Sequence, residues 1–105
     1  MKMIFDRGDY RRLEEDETYN GKFVILSTEQ FKPEYREAKY QLFLALGGFG
    51  CDPSNSGGKI FGTFFDERSQ TRREYVLGVA TEDAIKTWEQ TYGMSREVFK
   101  KEDEE

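Results

Sequence analysis

The longest apolar run in this chain, Tyr40 to Leu46, is only seven residues long and ends at Gly47-Gly48. That limit decides most of what the chain can fold into. A run this short, closed by glycines, reads as a buried strand, with a helix over 34–46 as the alternative. It is also far below the ~20 residues that a membrane-spanning helix needs.

Other runs repeat the pattern. Lys22 to Thr28 follows the turn signal Asn20-Gly21 and is rich in β-branched and aromatic residues. Lys59 to Phe65 and Arg72 to Val79 read the same way. With Asp66 to Gln70 as a polar connection, 59–79 forms a hairpin. Gly62 inside a strand signals a bulge or a close backbone approach. MKMIFD at the start supplies an edge strand, and RGDYRRLEEDETYNG carries charge without periodicity.

Helical signals are fewer. Pro33 suits the first turn of a short helix, PEYREAKY. Thr81 is an N-cap, Glu82 and Asp83 complement the helix dipole, and Gly93 stops the helix. Ala84, Ile85, Trp88 and Tyr92 share its apolar face, which places Trp88 in the core. Ser95 caps a second short helix, SREVFKK, before a frayed acidic tail at 102–105. The expectation is one α+β domain over 1–105, with a mostly antiparallel sheet of three to five strands packing one face on one or two helices.

The stretch GGFGCDPSNSGGKIFG, residues 47–62, is where chemistry would reside if the chain were an enzyme. A phosphate loop needs glycine where Pro53 stands and Ser or Thr where Ile60 stands. The dinucleotide pattern loses its third glycine to the same Pro53. Asp52, Ser54, Ser56 and Gly57 match the start of a calcium loop, but Thr63 occupies the place of the bidentate glutamate. The chain has no histidine, so Cys51, the sole cysteine, has no histidine base to activate it, and the usual zinc sites are missing. Neither a cofactor nor a metal is expected, and Cys51 reads as a partly buried structural thiol. The stretch is then a long ordered loop and a candidate contact surface. Phe49 either folds back on the core or stands exposed as an anchor for a partner, with Asp52 and Asn55 beside it.

The net charge is −5, from 21 acids and 16 bases. That balance disfavours nonspecific nucleic-acid binding and permits a basic partner. Glu14, Glu15, Asp16 and Glu17, together with the acidic tail, either form a solvated face or meet such a partner. Arg11, Arg12, Arg72 and Arg73 stand near Tyr10 and Tyr75. They either pair with nearby acids or serve a nucleic-acid-binding accessory protein. No opening segment resembles a signal peptide, which points to the cytoplasm and away from membranes.

The run FKPEYREAKYQLFLALGGFGCDPSNSGGKIFGTFF, followed by VLGVATEDAIKTWEQ, resembles small proteins carried on plasmids and conjugative elements of Gram-positive bacteria. Short acidic proteins of such elements include anti-CRISPR inhibitors of the type II nuclease Cas9 and antirestriction proteins. The resemblance implies a non-enzymatic inhibitor of a host defence nuclease that binds Cas9 or its guide complex. It assigns no role to any residue. A charge of only −5 argues against pure DNA mimicry and for aromatic anchors combined with local acidic patches.

Overall fold

The computed structural model describes residues 4–103. Strands β1 (Tyr10–Arg11), β2 (Phe23–Leu26), β3 (Leu42–Gly47), β4 (Lys59–Phe64), β5 (Glu67–Arg72) and β6 (Val76–Ala80) form one antiparallel sheet in the order β1-β6-β2-β3-β4-β5. Helix α1 (Ala38–Gln41) is a single turn, whereas α2 (Glu82–Tyr92) runs for 11 residues. Among the described residues the fold is therefore α+β with six strands rather than three to five.

Successive side chains of β2 and β3 alternate between two cores. Ile25, Leu42 and Leu44 join Trp88, Ile85 and Phe99 in one. Val24, Leu26, Phe43 and Ala45 join Ile60, Val79 and Cys51 in the other. With both faces buried, every position must be apolar, which is why Tyr40 to Leu46 reads as a continuous run. The sheet thus packs one face on the helix, as expected, and encloses a second core with the other.

Curling makes that second core possible. β5 and β6 are joined by only three residues, Arg73–Tyr75. In a flat sheet these two strands would stand four strand spacings apart, about 19 Å, whereas the link can span only about 14 Å. The Ser27 amide donates to the Tyr75 carbonyl at 2.7 Å, and Thr71 Oγ1 bonds Gln30 Oε1 at 3.0 Å, tying the end of β2 to the end of β5.

The hairpin expected over 59–79 is corrected. β4 pairs with β5, from Lys59↔Arg72 to Phe64↔Glu67, and β6 crosses to β2. The error lay in reading Asp66 to Gln70 as a connection. β5 is an edge strand whose side chains are mostly exposed, so its polar sequence carries no burial signal. β1 escaped notice because it is two residues long.

Residues 34–46 are neither all strand nor all helix. Pro33–Tyr35 is a 3-10 turn, α1 follows, and β3 begins at Leu42. The helix expected over PEYREAKY is therefore split. Gln41, read as part of the strand, is buried in α1, accepting from the Phe5 amide and donating to the Leu26 carbonyl, both at 2.8 Å. Ile4 to Asp6 form no strand, and the rest of the expected edge strand, residues 1–3, lies outside the described residues.

α2 begins and ends as its sequence dictates. Thr81 Oγ1 accepts the Ala84 amide at 3.1 Å, and Gly93 at φ 67° returns its amide to Glu89. The segment after it is a 3-10 helix, Arg96–Asp103, not an α-helix. It thus includes the first two residues of the tail expected to fray, and residues 104–105 lie outside the described ones. Arg96 anchors this segment, donating to Glu82 at 3.0 and 2.7 Å and to Glu89 at 3.1 Å. Both carboxyls are held below their ordinary range, chiefly by those hydrogen bonds.

Gly62 marks a close approach of strands. A Cβ there would fall on the Leu44 carbonyl oxygen and lie 2.9 Å from the Phe43 ring. Gly62→Ala should destabilise the protein by about 2–3 kcal/mol, seen as a lower urea midpoint with unchanged slope. An unchanged midpoint would show that β3 and β4 can separate freely.

Candidate functional site

The loop after β3 is a closed cap. Gly48, at φ 114°, lies against the Phe61 ring and the Lys59 carbonyl, where a Cβ would come within 2.5 Å of that oxygen. Phe49–Cys51 forms a 3-10 turn. Cys51 is buried in the inner core, and burial pushes its thiol pKa up. Its carbonyl accepts the Tyr19 amide at 3.0 Å. Asn55 Nδ2 donates to the Phe49 carbonyl at 2.9 Å, and the Gly58 carbonyl accepts the Arg73 amide at 2.9 Å. The clamp turns Cys51 inward and leaves Phe49 72% exposed. Asn55 therefore holds the loop together. Asp52 closes an Asx turn, accepting the Ser54 amide at 3.0 Å and hydroxyl at 2.8 Å, and these bonds lower its carboxyl pKa.

The acidic cluster forms a turn of its own. The Glu17 amide donates to the Glu14 carbonyl at 3.0 Å, and Asp16 takes a left-handed φ of 70° that aspartate tolerates. The four acids do not play one part. Glu17 receives both guanidinium nitrogens of Arg11, at 2.9 and 2.8 Å, and the Glu14 amide at 2.7 Å. Lys22 Nζ stands 3.7 Å away. These contacts, the Arg11 hydrogen bonds foremost, bring the Glu17 pKa down to about 2. Glu14, Glu15 and Asp16 are exposed and form no ion pair among the described residues.

The fold brings this turn to the loop. Residues 12–19, with Asp52 and Pro53, line a single concavity of about 550 Å³, and Leu77 borders it. Glu14, Glu15, Asp16, Glu17 and Asp52 therefore share one site. Phe49 and Asn55 do not line it but belong to the same closed loop.

The four arginines do not gather. Arg11 is held by Glu17, and Arg12 stands among the acids of the concavity. Arg72 lines a separate recess with Lys59. Arg73 is half-buried, its Nε withdrawn from solvent without a hydrogen-bond partner among the described residues, and its charge acts on Tyr19.

Leu77 and Phe61, both in segments expected to be strands, are exposed at 41% and 50%. A register shift between β2 and β6 opposes Leu26 to Val76 and Ile25 to Gly78, which leaves Leu77 without an opposed residue. No residue pattern announced that bulge.

Among the described residues no group of three or more aspartate, glutamate or cysteine side chains is placed to hold a metal ion, and no helix is long and apolar enough to cross a membrane. Comparison with known proteins finds no matching family model, curated protein or solved structure.

Because the folded pKa of Glu17 lies below its unfolded value, its contribution is present above about 4.5 and is lost as pH falls toward about 2. Melting temperature should drop across that window, and Glu17→Gln should flatten part of the drop. Identical pH profiles for variant and parent would show that the Arg11–Glu17 pair contributes nothing to stability.

Proposed function

We propose that this chain is a non-enzymatic inhibitor carried by a mobile element, and that it docks on the basic nucleic-acid-binding surface of a host defence nuclease. Cas9 or its guide complex is the foremost target. The observation that carries this reading is the concavity where Glu14, Glu15 and Asp16 meet Asp52, beside a loop that holds Phe49 outward.

Exposed acids that form no ion pair among the described residues steer a basic surface toward them and fix its orientation. An exposed aromatic on a hydrogen-bonded loop supplies the anchor, because little side-chain or loop freedom is lost on docking. The modest charge of −5 suits such a local patch better than mimicry of a whole DNA duplex.

The test is DNA cleavage by guide-loaded Cas9 orthologues, with the protein added before or after guide and before or after target. Restriction endonucleases form a second arm. Near-equimolar inhibition is expected, with the order of addition locating the blocked step. Glu14→Lys combined with Asp16→Lys should slow association, and Phe49→Ala should weaken binding by about 30-fold or more. Glu17 is left intact because it holds Arg11. Cleavage unaffected in every arm would overturn the proposal.

A further inference from the structure

The outward face of the β4–β5 hairpin carries a second surface, argued independently of the inhibitor reading. Along β4, Lys59 and Phe61 are exposed while Ile60 is buried. Along β5, Arg72 and Gln70 are exposed while Thr71 is buried. The register sets Lys59 opposite Arg72 and Phe61 opposite Gln70. Two cations thus stand directly across from each other on one face. Such pairs place Cβ atoms only about 5 Å apart and are destabilising without a counter-charge. Among the described residues neither forms an ion pair. Both line a recess of about 320 Å³ that Gln70 and Tyr75 share.

From this juxtaposition we infer that the face binds single-stranded nucleic acid, with a phosphate bridging Lys59 and Arg72 and a base stacked on Phe61. The strand geometry supports the division of labour. Phe61 follows Lys59 by two residues, about 6.6 Å along the strand, within reach of a base attached to a phosphate held at the cationic pair. Its ring is half exposed, and Gly48 supports it from the loop side. Aromatic platforms beside cations bind unpaired strands, because every base has a face to stack. A duplex keeps its bases stacked on one another and offers Phe61 nothing. An acidic peptide could satisfy the two cations but has no group that requires the exposed ring.

The test is fluorescence anisotropy with labelled DNA and RNA oligonucleotides of about 12 nucleotides, at about 50 mM and about 200 mM salt. The duplex of the same sequence and polyglutamate serve as competitors. Binding of a single strand should weaken with salt, with a log–log slope of about −0.7 for each phosphate neutralised. Lys59→Gln with Arg72→Gln should remove that slope and lower affinity at least about tenfold. Phe61→Ala should weaken binding by about five- to 100-fold while leaving the slope in place. Thermal melts of each variant check the fold, and the charge variant tests the site without touching the ring. Absence of binding at the lower salt, a charge variant that binds as the parent does, or polyglutamate competing as well as unlabelled oligonucleotide would overturn the inference. The DNA and RNA arms identify which polymer is preferred.

Discussion

Everything in this fold depends on a sheet that is buried on both sides. A domain of 105 residues has limited apolar material, and α2 alone covers only one face. Curling lets the same strands line a second core, so that Phe43, Ile60 and Val79 meet one another instead of water. The short link from β5 to β6 both requires the curl and secures it. Gly62 lets β3 come close enough for the Phe43 ring to lie over the β4 backbone.

The loop over 47–58 belongs to this closure. Cys51 fills the inner core while its carbonyl ties down Tyr19, and Tyr19 follows the acidic turn by two residues. One hydrogen bond thus joins the loop to the acidic segment, and the concavity between Asp52 and residues 14–17 is a by-product of covering the core. Three of the loop's glycines are set by backbone contact, since Gly50 and Gly58 touch main chain to main chain and Gly48 touches the Lys59 carbonyl, whereas Gly57 supplies a left-handed φ of 80°.

What was legible in the sequence followed burial. β2, β3 and the start of β4 are apolar on one or both faces, and α2 announces itself through Thr81, its acidic first turn and Gly93. What was hidden lacked that signal. β5 reads as a polar linker because an edge strand is specified by its ladder with β4 rather than by its side chains. The exposure of Leu77 follows from a bulge in the pairing of two strands far apart in sequence. The site was legible as composition and not as geometry: residues 14–17 and Asp52 stood out as separate acids. Only the fold shows that they share one concavity while Arg72 lines another.

The distribution of charge carries the last step. Glu17, Glu82 and Glu89 are bound by Arg11 and Arg96 in hydrogen-bonded pairs that connect segments of the chain. Acids used in this way have little field left for a partner, since a bidentate arginine neutralises them at contact distance. Glu14, Glu15 and Asp16 have no such cation, and neither Lys59 nor Arg72 has a carboxylate among the described residues. Among the described residues these acids and these two cations thus stand outside the ion pairs, in two different concavities. A surface serving solubility alone would intersperse the two signs. On the two proposed readings the acidic turn, with Arg12 among its lining, meets a basic partner and the Lys59–Arg72 pair meets an anionic one.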